Sequence, residues 1–158
     1  MAEVRRAAPE DAGPICELIN WVVRETVVTF NSVEKVPDEI AAAMEQAPFW
    51  VTEQAGRVVG YASYGPFRGG VGYGRTKEHS IAVRPEAWGR GAGRALMAAL
   101  CAHASAAGVH SLFAGVSGEN EAGARFHAAL GFQEVARLRQ VGWKFDRWHD
   151  LVLMQKFL

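Results

Sequence analysis

The first regular pattern in the chain is a set of apolar residues three or four positions apart. They follow Pro9 and are Ile15, Leu18, Ile19, Val22 and Val23. This spacing places them on one face of an α-helix, and the acidic residues at positions 10 and 11 favour its N-terminus. A short strand is predicted before this helix, over residues 3–7. A second helix is predicted over residues 37–46, because Pro37 fits a first helical turn and Pro48 follows the end.

The rest of the chain is predicted to alternate mainly between strands and helices. Aromatic and β-branched residues predict strands over 49–54 and 57–64, joined by a tight turn at Ala55-Gly56. The glycine-rich residues 65–74 are predicted to form a mobile loop without regular structure. Further strands are predicted over 76–83, 111–115, 132–141 and 151–157, and helices over 93–106 and 120–130. The order βααβββαβαββ indicates an α/β protein with a mixed sheet between helices, in which the unit 76–115 is parallel.

Composition narrows the function classes. The 158 residues, 49% of them apolar, can bury one core, so a single domain over residues 1–158 is expected. The 17 basic and 17 acidic side chains balance, so no positive field favours nucleic acid or an anionic membrane as partner. Cys16 and Cys101 lack metal-ligand spacing, and no metal is expected. The first residues read neither as a signal peptide nor as a membrane anchor, so a cytoplasmic location is expected.

A glycine-rich segment follows the strand predicted at 76–83. Its residues are Gly89, Arg90, Gly91, Ala92, Gly93 and Arg94. Between a strand end and a helix start, main-chain N–H groups and the helix dipole converge and bind phosphate, and arginines add charge-assisted contacts. No P-loop lysine follows, and no third glycine has the spacing of a dinucleotide fingerprint, which disfavours nucleotide hydrolysis and hydride transfer. Taken alone, the segment predicts either an anion site or a plain structural turn.

Three further segments carry a resemblance to a known family. They are EHSIAV at residues 78–83, RFHAALGF at 125–132 and QVGWKFDRWHD at 140–150. Together with the glycine-rich segment, they make the chain similar to the GNAT family of N-acetyltransferases, and within it to the group that acetylates phosphinothricin and methionine sulfoximine. The resemblance extends over nearly the whole chain. It implies the GNAT fold, acetyl-CoA as co-substrate without a metal, and a small-molecule amine, the α-amine of an amino acid or analogue, as acceptor.

The resemblance also implies where the cofactor binds. The pyrophosphate would lie on residues 89–94, and the pantetheine arm would pair like an extra strand with the main chain at Ile81, Ala82 and Val83. Asn120 matches a cofactor-contacting asparagine of the family, and the N-cap of the next helix is an alternative, compatible role. Trp88 departs from the family pattern, which usually has Gln or Arg at this position.

Two residues are candidates for catalysis. Glu78 matches the position of the family's general base, acting on the amine directly or through a water; the alternative is an ordinary exposed strand carboxylate. His127 lies where many relatives have a tyrosine close to the cofactor sulfur, and the alternative is a satisfied core or surface histidine. His79 should face away from Glu78, because strand side chains alternate, and is expected to be structural. No pattern for a covalent acyl-enzyme is evident, so direct transfer is expected.

The acceptors of the closer relatives carry a second anionic or tetrahedral group, so a cationic clamp is expected near the general base. The candidate substrate-binding residues, two pocket walls and then the clamp, are Phe30, Tyr73, Arg75, Thr76 and Lys77. Arg75 is displaced by one position from the arginine of the related enzymes, and a one-residue shift reverses the face on a strand.

Residues 142–150 are predicted to join the last two strands. Their two tryptophans predict packing against a partner subunit or the substrate loop, and hence a homodimer. Three other functions stay open: acetylation of a protein N-terminus, polyamine or aminoglycoside; a catalytically silent CoA sensor; and a nucleotide-binding interaction module. The balanced charge disfavours a polycationic acceptor, the presence of Glu78 and His127 disfavours a silent sensor, and the missing P-loop lysine disfavours the nucleotide module.

Overall fold

The computed structural model describes residues 2–158 and contains the predicted order of strands and helices. The elements are β1 (Val4–Arg6), α1 (Ala12–Glu25), α2 (Pro37–Gln46), β2 (Phe49–Gln54), β3 (Arg57–Pro66), β4 (Thr76–Val83), α3 (Ala92–Ala106), β5 (Ser111–Ser117), α4 (Glu121–Ala129), β6 (Gln133–Lys144) and β7 (Arg147–Phe157). Short 3-10 helices lie at Pro9–Asp11, Val71–Tyr73 and Pro85–Ala87. The order βααβββαβαββ is confirmed.

Two segments differ from the prediction. Within the predicted loop 65–74, β3 continues to Pro66 because Gly65 and Pro66 pair with β4, and a 3-10 helix forms at Val71–Tyr73. Residues 142–150 do not form a separate connection. Instead β6 and β7 run on to a tight turn at Phe145 and Asp146, whose φ angles are 54° and 57°. In both places strand pairing outweighs local composition, which the sequence alone does not reveal.

The strands form one mixed sheet in the order β1-β2-β3-β4-β5-β7-β6. The pair β4–β5 is parallel, as predicted, and the other neighbouring pairs are antiparallel. The parallel pairing covers only residues 76–79 of β4 and 111–114 of β5. Beyond this point β4 stays paired with β3, and β5 stays paired with β7. The facing edges of residues 80–83 and 115–117 therefore separate, and we call this opening the β4–β5 gap.

Each face of the sheet buries its own apolar core. On one face, α3 packs through Leu96 and Leu100 in a cluster with Ile81 and Val83 of β4 at its edge. On the other face, α1 and α2 pack through side chains that include Leu18 and Ile40, with Ala82 of β4 at the margin. Alternation along β4 therefore turns residues 77, 79, 81 and 83 to the α3 face and residues 76, 78, 80 and 82 to the α1 face. This division decides which side chains of β4 can act together.

Candidate active site

The main chain at the end of β4 faces the β4–β5 gap at alternate residues. The N–H of Arg84 donates to Val59 O of β3 at 2.7 Å. Main-chain groups alternate sides along a strand, so Ala82 also directs its N–H and C=O to β3, whereas Ile81 and Val83 direct theirs to the gap. Of the three predicted partners of the cofactor arm, Ile81 and Val83 have the required main-chain orientation, and Ala82 contributes only a side chain on the α1 face.

The glycine-rich turn beside this gap has the geometry of an anion site. Gly89 and Gly91 have φ angles of 72° and 82°, a region that favours glycine. Gly91 is the N-cap of α3, and Ala92 is its first residue. The helical hydrogen bonds begin with Ala95 N donating to Gly91 O at 2.9 Å. The N–H groups of residues 92–94 precede this bond, so they point out of the helix start, where such groups can bind an anion.

The two arginines and the third glycine of the turn have different environments. Arg90 and Arg94 are both exposed at the start of α3, where they can approach a phosphate. Gly93 has another purpose, because a Cβ there would lie 2.9 Å from the ring of Phe126 on α4. Its missing side chain lets α3 and α4 approach closely. The turn therefore has the geometry of an anion site and also the structural role that the sequence left as the alternative.

Trp88 ties the turn to the end of β4. Its indole Nε1–H donates to Val83 O at 2.7 Å, although the side chain is largely exposed. This carbonyl is one of the main-chain acceptors that face the gap. Trp88, which departs from the family pattern, therefore occupies the carbonyl of Val83. The N–H of Val83 and both main-chain groups of Ile81 remain directed into the gap.

Asn120 is the N-cap of α4. Its Oδ1 accepts a hydrogen bond from Gly123 N at 2.9 Å, so the capping role is confirmed. Gly123 makes this cap possible, because a Cβ there would lie 2.4 Å from Asn120 Nδ2, so the cap could not keep this geometry. The cap uses the oxygen of the amide and leaves Nδ2 as a donor at the end of β5, close to the β4–β5 gap.

Glu78 lies on the α1 face where the gap begins. Its Oε2 is 3.2 Å from the position that a Cβ of Gly115 would occupy, so the carboxylate leans towards the separated part of β5. The side chain is half-buried, and this burial raises the pKa of Glu78 above its ordinary value. A carboxylate with a raised pKa at the edge of a gap is a suitable proton acceptor.

His127 and His79 form a buried pair on the α3 face. Their Nε2 atoms are 3.0 Å apart, while His127 Nδ1 lies 2.7 Å from Gly123 O and His79 Nδ1 lies 3.1 Å from Phe113 O. Hydrogen bonds at all three contacts need three ring protons and hence one positive charge. Burial opposes that charge: it lowers the pKa of His79 to about 3 and also lowers the pKa of His127.

The pair has a consequence for both histidines. His79 faces away from Glu78, as alternation predicts, and it contacts α4 through His127. Both nitrogens of His127 face protein atoms, so a hydrogen bond to a cofactor sulfur would require one of these contacts to break. The alternation that turned His79 to the α3 face was the only signal in the sequence for this pairing.

The predicted cationic clamp is divided between the faces of β4. Thr76 shares the α1 face with Glu78, but Arg75 and Lys77 line a cavity of about 370 Å³ on the α3 face, together with Tyr64 and Val109. The structure therefore does not bring Arg75 and Lys77 to the carboxylate of Glu78. For Arg75 the cause is the one-residue shift noted in the sequence, and for Lys77 it is strand alternation.

A different arginine lies in the loop above β4, and sequence reasoning missed it. The guanidinium of Arg68 lies 5.3 Å from the ring centre of Tyr73, a cation–π contact. The preceding Phe67 stacks on Phe113 at 4.5 Å, and Phe113 is the β5 partner of Glu78 in the register. The loop between β3 and β4 is thus anchored over the strand pair that carries the carboxylate.

Phe30 and the exposed tryptophans lie at the β6–β7 hairpin. Phe30 stacks on His149 of β7 with ring centres 5.3 Å apart. Trp143 and Trp148 make an edge contact at 5.0 Å, and each is more than half exposed.

Across residues 2–158, no helix is both long and apolar enough to cross a membrane. Within the same range, no three His, Cys, Asp or Glu side chains gather as a metal site would require.

Comparisons with known proteins agree with this geometry. A family model described as "Acetyltransferase (GNAT) family" matches residues 15–132. The chain is 38% identical over 157 residues to the L-methionine sulfoximine/L-methionine sulfone acetyltransferase of Salmonella typhimurium, covering 96% of this chain and 92% of that protein. It is 34% identical over 162 residues to the phosphinothricin N-acetyltransferase of Streptomyces coelicolor, covering 98% and 95%.

A solved structure extends the comparison to three dimensions. It is a putative acetyltransferase from Salmonella typhimurium with its cofactor acetyl-CoA, and it matches with a TM-score of 0.95 at 38% identity. The match covers 99% of this chain and 94% of that chain. The predicted fold and the resemblance drawn from the sequence motifs are confirmed.

Replacing Glu78 by Gln is expected to stabilise the fold at neutral pH. The pKa of Glu78 is higher in the folded protein than in the unfolded chain, so its ionisation costs folding free energy above the folded pKa. That cost disappears as the pH falls through the ordinary value of about 4.3. The free energy of unfolding, measured with denaturant between about pH 4 and about pH 8, should be higher for Glu78→Gln than for the parent protein. The difference should grow with pH and then level off.

The control is Glu134→Gln at an exposed position of β6. An equal increase in the free energy of unfolding for this control, or an increase for Glu78→Gln that does not depend on pH, contradicts this account.

Proposed function

Because the chain belongs to the GNAT family and is an acetyl-CoA-dependent N-acetyltransferase, we propose that it acetylates the α-amine of a small amino acid or analogue, of the methionine sulfoximine or phosphinothricin type. One observation carries the proposal. The β4–β5 gap has main-chain groups along one edge, an anion site at the start of α3, and the half-buried carboxylate of Glu78 at its closed end.

The residues around the gap fit acetyl-CoA. The N–H groups at the start of α3, with Arg90 and Arg94 beside them, would hold the pyrophosphate. Main-chain groups of Ile81 and Val83 would bond to the amide groups of the pantetheine arm as a neighbouring strand does. Asn120 Nδ2 would contact the same arm from the opposite edge. Bound acetyl-CoA supplies an activated thioester, so the protein needs only to place the amine, accept its proton and stabilise the oxyanion.

Glu78 would act as the general base. An α-amino group has a pKa near 8 and is mostly protonated at neutral pH, so it must lose a proton before it can attack. The raised pKa of Glu78 brings its proton affinity closer to that of the amine. The amine nitrogen then forms a bond to the carbonyl carbon, the carbon–sulfur bond breaks, and solvent protonates the leaving thiolate. His127 takes no direct part in this proposal, because its two nitrogens are engaged within the core.

In the acceptor site, Phe30, Tyr73 and Thr76 would be pocket residues. Arg75 and Lys77 would not take part, because they lie on the α3 face, away from Glu78. Arg68 is the candidate partner of the acceptor carboxylate, because its loop is anchored by Phe67 over the β5 partner of Glu78. An arginine fork suits a carboxylate better than a lysine does.

Assembly, extent and location also belong to the proposal. One catalytic domain would extend over residues 1–158, and the exposed Trp143 and Trp148 of the hairpin would form part of a homodimer interface. Sedimentation of the protein and of a Trp148→Ser variant tests this assembly. A parent protein that sediments as a monomer would exclude the homodimer.

The buried thiol of Cys16 and the half-buried thiol of Cys101 suit a reducing compartment such as the cytoplasm.

The alternative is an enzyme of the same family that acts on another amine, or a protein that binds CoA without catalysis. The balanced charge of the chain argues against a polycationic acceptor. The partial burial of Glu78 argues against a silent sensor, since removing a carboxylate partly from water destabilises the fold and has a plain use in catalysis.

Release of free thiol tests the activity. The protein is mixed with acetyl-CoA and a panel of amino acids, methionine sulfoximine, phosphinothricin, a polyamine and a short peptide. We expect release with one of the amino-acid-like acceptors, and a fall in kcat of about 10²–10⁴ for Glu78→Gln at neutral pH, with partial recovery at high pH where the amine loses its own proton. Release with the polyamine or peptide alone would favour the alternative enzyme, and an unchanged pH profile would remove Glu78 from the mechanism.

Arg68 and Arg75 form a matched pair of variants. Because only the loop of Arg68 lies over the strand pair of Glu78, Arg68→Ala should raise the acceptor KM by about tenfold or more, the usual cost of losing one charge-assisted contact. Arg75→Ala should change it little, and neither should alter the KM for acetyl-CoA. The reverse order of effects would restore Arg75 as the carboxylate partner.

A further inference from the structure

We propose that Gly142 is a specificity-determining residue of the acceptor pocket, because its missing side chain makes the space in which the Phe30 ring is held by the β6–β7 hairpin. This inference rests on the proposed function, in which Phe30 is a wall of that pocket. It adds the β6–β7 hairpin to the parts of the chain that select the acceptor.

The Phe30 ring occupies the place of a side chain at position 142. A Cβ on Gly142 would lie 2.3 Å from Phe30 Cδ2 and 2.6 Å from both Cε2 and Cγ, distances that no real Cβ contact allows. The opposite strand supplies a second contact, because His149 is the β7 partner of Gly142 and stacks on the same ring. Gly142 does not have a positive φ, so the ring, and not the backbone, requires glycine here.

A buried lysine fixes the loop that carries Phe30. Lys144 is almost fully buried, and its Nζ donates to Thr26 O at 2.7 Å and to Thr29 O at 2.9 Å. Both carbonyls belong to the α1–α2 loop, residues 26–36. A buried ammonium group needs hydrogen bonds to offset its lost hydration, so the loop and the hairpin constrain each other. The end of β6 thus holds the loop through Lys144 and its aromatic residue through Gly142.

The same contacts lead to the β4–β5 gap. His149 is buried, and its Nε2 donates to Lys144 O at 2.8 Å. Its other nitrogen contacts the carboxylate of Glu119, the residue before Asn120. Arg147 also binds that carboxylate, with two hydrogen bonds of 2.9 and 3.2 Å. Phe30 is therefore two contacts away from the loop that carries a predicted cofactor residue.

The ring also lies on the face of the sheet where the proton acceptor is. His149 is two residues from Leu151, and Leu151 lies with Glu78 around Gly115 on the α1 face. Strand alternation puts His149 and its partner Gly142 on that face as well. The hairpin thus sets the position of Phe30 relative to Glu78, and a small shift of a pocket wall changes which acceptor side chains fit.

A double-mutant cycle tests the proposal. Gly142→Ala must displace the Phe30 ring, so the acceptor KM should rise by about tenfold to a hundredfold while the KM for acetyl-CoA stays unchanged. Phe30→Ala removes the ring, so adding Gly142→Ala to it should cost little more. Gly13→Ala is the control, because a Cβ at Gly13 of α1 meets no atom within 4 Å. Equal effects of Gly142→Ala with and without the Phe30 ring would overturn the proposal.

A readout without catalysis separates this inference from the proposed function. Amide hydrogen exchange in the α1–α2 loop should become faster in Gly142→Ala. It should also become faster in Lys144→Met, which removes the ammonium group and its two hydrogen bonds but keeps an unbranched side chain only one atom shorter. If no amine is acetylated yet the loop loosens as expected, the acceptor assignment fails and the contact between hairpin and loop stands. Unchanged exchange in both variants overturns the inference itself.

Discussion

The separation of β4 from β5 is the constraint on which the rest of the structure depends. Each strand keeps one antiparallel partner to its end, β3 for β4 and β7 for β5, and the parallel pairing between them stops at His79 and Ala114. The inner edges then carry main-chain groups directed into an open gap, where they must bond to water or to a ligand. A ligand with amide groups of its own satisfies such edges, and the pantetheine arm of CoA is one.

The two faces of β4 then divide the work. The α3 face holds the buried pair of His79 and His127 and anchors the helix whose N-terminus forms the proposed anion site. The α1 face holds Glu78 and, through the α1–α2 loop and the hairpin, the aromatic ring of Phe30. Odd-numbered residues of β4 therefore face the α3 core, and even-numbered residues share the face of Glu78. Because Lys77 is odd-numbered, it cannot join an acceptor clamp beside Glu78.

Most of the fold could be read from the sequence, and the site only in part. Strand and helix order follows from apolar spacing and from turn residues such as Pro37 and Gly91, because these act locally. Residues 142–150 were predicted as a connection between strands, but they extend β6 and β7. This extension depends on pairing between the two strands, which the local sequence does not reveal. The contact between Phe30 and Gly142 could not be predicted either, because it joins residues distant in the chain.

Amide hydrogen exchange at the end of β4, followed residue by residue with and without CoA, tests the central claim most directly. The N–H of Ala82 bonds to β3, so its exchange should be slow in both states. The N–H groups of Ile81 and Val83 face the gap, so their exchange should slow when CoA binds. Exchange at Ile81 and Val83 that is unchanged by bound CoA would contradict the account, as would equal slowing at all three residues.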